Sequence, residues 1–460
     1  KRRENKCEYT GTPILDMSIE QIKQNRKQAR KDAYTCSKDA DTRRQTFMVE
    51  LAQRRADEGN SKAEKQLKSL MQREISRQSW RRIRHVSGKT NNNAVTMVEI
   101  DNDDGTTSTL TNFIEINLEL QRSAASRLIQ SSDTPFMKPP LNQHFNTFTD
   151  NHYVQQLLDG TYTPPDNTDP YAKIFLTYLQ QPHNVPAIST TWTKDQYRLS
   201  WQRRREKTSS GDASTHMGHF KAGVRIDYIC SVHNDFNNII NSSGYSLKRL
   251  QRSLDIMIPK KAGSLKADKM RLINLVQPCF NQLTALNSYR FMKHAEKHHL
   301  MAPEQFGSRK NLSAIMHATN KTLMFDYLRI TKTKAIICAN DAKSCYDRIV
   351  LMAAFLCLRR MGLQAAPIRA MFTTIQKMRH FTSSAFGTST NYYDTLLLME
   401  ILNGILQGNC FGPGTWAAVS TPLLDMLRGE GFGMQFQSPL SNERLHIAGF
   451  SFVDDTDVVQ

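Results

Sequence analysis

The stretch His446-Ile447-Ala448-Gly449-Phe450-Ser451-Phe452-Val453-Asp454-Asp455-Thr456-Asp457-Val458-Val459 decides how the rest of the chain is read. Apolar residues lead up to two adjacent aspartates and resume soon after them. That is the pattern of a strand, a tight acidic turn and the start of a second strand. An Asp pair alone carries little weight, since a chain of 460 residues holds about one by chance at average composition. The other pair, Asp103-Asp104, lies in Asp101-Asn102-Asp103-Asp104-Gly105 and reads as the turn of a β-hairpin over residues 95–111. Its flanks are polar, whereas those of Asp454-Asp455 are apolar.

Two further blocks precede the pair. Lys334-Ala335-Ile336-Ile337-Cys338-Ala339 reads as a strand that delivers Asp341 to its C-terminal end. Asn340-Asp341-Ala342-Lys343-Ser344-Cys345-Tyr346-Asp347-Arg348-Ile349 follows, with a helix expected from about Ser344 through Cys357 and a closing glycine at Gly362. The middle block is Gly404-Ile405-Leu406-Gln407-Gly408-Asn409-Cys410-Phe411-Gly412-Pro413. It reads as a strand ending at Gln407-Gly408, then a helix from Pro413 to about Leu427. Transfer of a nucleotide to a hydroxyl needs two hard cations that activate the nucleophile and neutralise the phosphoryl transition state. Mg²⁺ takes oxygen ligands and keeps waters, so a few carboxylates suffice. Asp341, Asp454 and Asp455 supply them if their strands become neighbours.

In order and spacing the three blocks resemble the palm motifs of reverse transcriptases. The resemblance implies catalysis at Asp341, Asp454 and Asp455, with two Mg²⁺ ions (Mn²⁺ as a substitute) held by them and by the Ala342 backbone carbonyl. It places Tyr346 under the incoming sugar, where an aromatic ring excludes a 2′-hydroxyl, and sets Gln407 and Gly408 against the nucleotide. Asp347 is expected to point away from Asp341 and to act electrostatically. Upstream, Ile258-Pro259-Lys260-Lys261 and Met270-Arg271-Leu272 resemble the fingers hairpin of the family, which makes Lys260, Lys261 and Arg271 triphosphate contacts. Leu272 stands where a proline is usual. Glu304-Gln305-Phe306-Gly307-Ser308-Arg309 resembles the next fingers block and makes Gln305, Gly307 and Arg309 template contacts. Lys207-Thr208-Ser209-Ser210-Gly211 resembles the entry block.

The implied fold is α+β: right-hand polymerase fingers and palm, with antiparallel strands backed by helices and a mainly helical N-terminal extension. The expected divisions are a basic helical extension at 1–90, a hairpin, helix and loop-rich region at 91–185, fingers at 186–333 and palm at 334–460. Phe452 ahead of the aspartates and the long basic region before the fingers look most like non-LTR (LINE-type) retrotransposons. Group II intron and other retroelement enzymes are the alternatives. The implied partners are an RNA template, a DNA primer or target, and deoxynucleoside triphosphates. The competing class is a truncated, inactive remnant that only binds nucleic acid.

Bulk properties agree with a polyanionic partner. The formal charge is +18 and the pI about 9.5. Residues 1–91 carry 23 Lys and Arg against 12 Asp and Glu, a net of +11. Their polar helical pattern, with a break near Gly59-Asn60, includes a ladder of Arg73, Arg77, Arg81, Arg82 and Arg84 suited to phosphates. Residues 131–170 read as loop. No apolar run is long enough for a membrane span and no secretory signal opens the chain, so an intracellular setting, nucleus or cytoplasm, is expected. The eight cysteines contain no C-x-x-C and read as reduced, buried thiols. His294 and His298 lie one helical turn apart, but lack the H-E-x-x-H order of a zinc site. The chain begins with Lys and ends inside an expected strand, so it reads as a fragment without a thumb.

Overall fold

The structure is a computed structural model that describes residues 28, 47–72, 95–206, 208, 210–211, 215–261, 263–342, 344–438 and 440–460. The chain divides into two units, Lys1–Asn92 and Asn93–Gln460. In the first, helix runs over 47–57 and again from 61 to 72. Gly59 adopts φ 83°, and the Asn60 side chain caps the next helix by accepting from Lys62 N at 3.1 Å and Ala63 N at 3.2 Å. The arginine ladder at 73–84 lies outside the described residues.

The second unit opens with the expected hairpin, β1 (Val98–Asp101) paired with β2 (Thr107–Leu110), and helix α1 (Phe113–Ile129) capped by Asn112. Residues 131–170 are not plain loop. They contain α2 (Leu141–Phe145) and α3 (His152–Leu158), and α4 (Pro170–Thr177) follows. These helices are too short to show a periodicity, and they are held by buried Leu141, Phe145, Leu157 and Phe175. Helices α5 (Lys194–Gln202), α6 (Met217–Gly223) and α7 (Asp227–Ser243) lead to strands β3 (Arg252–Pro259) and β4 (Met270–Val276).

Helices α8 (Pro278–Lys297) and α9 (Ala314–Thr331) precede β5 (Ile337–Asp341), α10 (Cys345–Arg348), α11 (Leu351–Arg360) and α12 (Ala365–Gln376). The remainder is β6 (Arg379–Ser384), β7 (Gly387–Thr388), α13 (Thr395–Leu398), α14 (Gly412–Gly429), β8 (Met434–Gln437), β9 (Arg444–Ile447), β10 (Gly449–Phe452) and β11 (Asp455–Val459).

Helices and small sheets thus share the unit in an α+β arrangement. One sheet has the order β10-β11-β5, another β4-β3-β6-β7. The second departs from the antiparallel expectation, because β3 and β6 run parallel. They are joined through a long excursion that contains β4, β5 and helices α8 to α12, and a parallel pairing requires such a crossover. The main core gathers the apolar faces of α11, α12 and α14 around Phe280, Phe291, Phe355, Phe372 and Phe411. A second cluster packs α1 under the β3–β4 hairpin through Ile116, Leu120, Met257, Met270 and Leu272. Among the described residues no helix is long and apolar enough to cross a membrane. Of the cysteines, Cys230, Cys345 and Cys357 are buried. Cys338 is exposed on β5, contrary to expectation, because β5 is an edge strand.

Candidate active site

β5 and β11 are antiparallel neighbours, and their register sets Asp341 directly opposite Asp455. Directly opposed residues of an antiparallel pair project from the same face. Residues 453 and 454 form the two-residue turn that joins β10 to β11, whose ladder closes at Phe452 opposite Asp455. Asp454 is therefore carried to the same end of the sheet, and its carbonyl accepts a long bond from Ala342 N at 3.4 Å. Asp341 and the adjacent pair Asp454-Asp455, more than a hundred residues apart in sequence, lie at one sheet end.

The turn is strained. Val453 holds φ 60°, a value that a β-branched residue rarely adopts. Surrounding contacts enforce it. The buried Gln305 amide accepts from Val453 N at 2.9 Å through Oε1 and donates to Val453 O at 3.2 Å through Nε2. Trp416 Nε1 donates to the same carbonyl. A Cβ on Gly307 would lie 2.2 Å from Val453 N, so only glycine fits.

Gln305 and Gly307, expected as template contacts, are instead buried supports of this turn. Arg309, expected beside them, is also used internally. It forms a bidentate pair with Glu296 at 2.8 and 3.0 Å and donates to the Ala302 and Gln305 carbonyls. Glu304, bonded to Arg428 at 2.7 Å, anchors the same segment by accepting from Ala448 N at 3.3 Å.

The expected helix from 344 is broken. Ile349 and Val350 are extended between α10 and α11, and 403–405 fill the gap. Gly404 N donates to Ile349 O at 2.8 Å and Ile405 N to Tyr346 O at 2.9 Å. The middle block is not a strand either. Gly404, Leu406 and Gly408 take φ of 88°, 61° and 124°, and three positive values in five residues are incompatible with a ladder. The segment docks instead on the free edge of β4. Gln407 O accepts from Asn274 N at 2.7 Å, and a Cβ on Gly408 would meet Asn274 O at 2.5 Å.

Tyr346 is half-buried beside the aspartates. Burial first, then the Cys345 thiol and the Asp454 charge, push its hydroxyl up to about 12. Cys345 is likewise pushed up to about 12 by burial, then by Asp454, with Asp347 and Asp341 adding to the rise. Asp347 is fully buried, and the Gln407 amide donates to both its oxygens at 3.2 and 3.3 Å. Burial pushes its carboxyl up to about 6.

Across the site, alternation along β4 buries Met270, Leu272 and Asn274 and turns Arg271 outward, opposite Ile258. Lys260 and Lys261 are exposed just past the end of β3. Arg127 of α1 fixes the root of this hairpin by donating to Met270 O at 2.6 Å and Ala267 O at 2.7 Å. Of the entry block, residues 207 and 209 lie outside the described residues. Gly211 N donates to Val276 O at 3.0 Å.

Trp416, Glu304 and Arg127 were not singled out from the sequence. Only Trp416, four residues into an otherwise small-residue helix start, leaves a local trace. Asp457, a fourth acid on β11, is paired with Lys321.

Among the described residues no group of three or more His, Cys, Asp or Glu side chains is arranged to hold a metal ion by itself. The donors present nevertheless suit Mg²⁺. They are hard carboxylate oxygens, and Mg²⁺ is commonly held by one or two carboxylates with substrate phosphates completing the shell. Like charges directly opposite on a ladder also repel, which a cation between Asp341 and Asp455 would offset. No known family profile matches the chain, and no curated protein is significantly similar to it.

Proposed function

We propose that the chain is an RNA-directed DNA polymerase of the non-LTR retrotransposon type, adding deoxynucleotides to a primer 3′-hydroxyl. The observation that carries the reading is the register of Asp341 opposite Asp455, with Asp454 in the clamped turn beside them. Asp341, Asp454 and Asp455, with the Ala342 carbonyl, would hold two Mg²⁺ ions, which when bound activate the hydroxyl and neutralise the phosphoryl group. Arg271 and the two lysines of the β3–β4 turn attract and orient the triphosphate, Arg271 by a bidentate fork. Tyr346 sits below the sugar and blocks a 2′-hydroxyl. Gln407 and Gly408, fixed on β4 at Asn274, bring backbone close to the nascent pair. Gln305, Gly307 and Trp416 position the Asp454 turn without touching substrate.

Primer extension on an RNA template tests this. Asp341→Asn and Asp454→Asn should each lower incorporation at least about a hundredfold, the scale of losing a main transition-state stabiliser. In the same assay Tyr346→Val should admit ribonucleotides while deoxynucleotide use persists. Extension unaffected by the Asp substitutions would overturn the reading. A chain that binds primer–template yet incorporates nothing would favour a nucleic-acid-binding remnant.

A further inference from the structure

A second cavity, sharing no residue with the aspartate site, has the chemistry of a nucleotide pocket. It measures about 710 Å³ and lies where α12 ends and β6 begins. Lys248, Lys377 and Arg379, all exposed, are among its lining residues, and among the described residues none of the three makes an ion pair. The only acid lining it, Asp394, is engaged as the cap of α13, accepting from Leu397 N at 2.9 Å. The walls are mixed, with Phe148, Met352 and Leu396 beside Asn142, Gln251 and Gln376.

Tyr392 and Arg379, which line the cavity, are the near end of an aromatic ladder that runs away from it. The Arg252 guanidinium lies 3.9 Å over the Phe381 ring, Phe381 tilts against Tyr392 at 5.4 Å, and Arg379 lies 5.5 Å from the Tyr392 ring. An aromatic ring beside cations that make no ion pair is what base stacking and phosphate contact require. The volume falls within the range of small-ligand sites.

The cavity is remote from the hairpin cations. Arg379 is the register partner of Arg252, at the opposite end of β3 from Lys260. Seven residue steps of about 3.3 Å put roughly 23 Å between the two ends.

We propose that this cavity holds one nucleotide unit, its base against Tyr392 and Leu396 and its phosphate on Lys248, Lys377 and Arg379. The unit comes either from a single-stranded nucleic-acid chain or from a free nucleotide. The inference does not depend on polymerase activity.

The test is photocrosslinking of the 460-residue chain to a short single-stranded RNA bearing one 4-thiouridine, followed by peptide mapping. Crosslinks are expected in the peptide holding Tyr392 and Leu396. The double variant Lys248→Glu/Lys377→Glu, on exposed side chains, should reduce their yield at least about tenfold through loss of phosphate contacts. Tyr392→Leu should reduce yield without changing its salt dependence. Competition by adenosine 5′-monophosphate marks a site that takes free nucleotides, and lack of competition marks one that reads a chain. Crosslinks mapping only elsewhere, or undiminished in the charge-reversed variant, overturn the proposal.

Discussion

Asp347 illustrates how one side chain can carry two consequences. It lies one position after Tyr346, fully buried, with Gln407 as its hydrogen-bond donor. Burial pushes it up to about 6 and Asp255 adds to the rise, while Arg127, Gln407 and Lys260 pull the other way. A raised folded pKa means that the native state holds the proton more tightly than the unfolded chain. Stability then falls as pH rises from about 4 to about 6 and stays lower above that. The full shift corresponds to at most about 3 kcal/mol. Asp347→Asn removes the charge and keeps an acceptor for Gln407. The variant should melt above the wild type at about pH 7.5, and the gap should shrink as pH falls towards 4. Thermal melts across that range decide it: a gap that does not change with pH would show that Asp347 does not titrate there.

At the scale of elements, the β4-β3-β6-β7 sheet is joined by a buried polar knot as well as by its ladders. Asp255 of β3 accepts from Ser253 Oγ at 2.6 Å, Asn274 Nδ2 of β4 at 2.8 Å, Tyr393 Oη at 2.6 Å and His380 Nδ1 of β6 at 3.0 Å. Burial pushes this carboxyl up, but the His380 charge and the bonds from His380, Ser253 and Tyr393 outweigh it and hold the group below its ordinary value. Its contribution is present above the usual carboxylate range and is lost as pH falls below it. Asp255→Ala strands several buried donors at once and should destabilise the protein by about 3–5 kcal/mol. A denaturation midpoint within experimental error of the wild type would show that the knot is dispensable. Asn274 belongs to both this knot and the docking edge for Gln407 and Gly408, so the sheet interior and the candidate nucleotide platform share one residue.

Across the whole molecule, what was legible in the sequence was local and periodic. The hairpin at 95–111 follows from turn chemistry, and the acidic turn expected at 454–455 forms one residue earlier, at 453–454. The supports of the site were not legible. Gln305 meets Val453 across 148 positions, and nothing in the composition of either segment announces the pairing. For the same reason a segment rich in apolar residues, 404–408, read as a strand when three positive φ values make it a docked loop. Charge is the whole-molecule property that sequence does give, and it supports a prediction that needs no site geometry. Of the net +18, residues 1–91 contribute +11 and the remainder +7. A chain of this kind should bind single-stranded RNA and RNA–DNA hybrid through phosphates, releasing condensed counterions. Engaging even about five phosphates gives a log–log dependence of affinity on salt with slope near −4, steeper on duplex than on single strands. Fluorescence anisotropy from low to near-physiological salt measures it. A flat response would mean that the positive charge is dispersed or internally neutralised, and would remove the electrostatic support for a nucleic-acid partner while leaving the register of Asp341 and Asp455 to be explained by other chemistry.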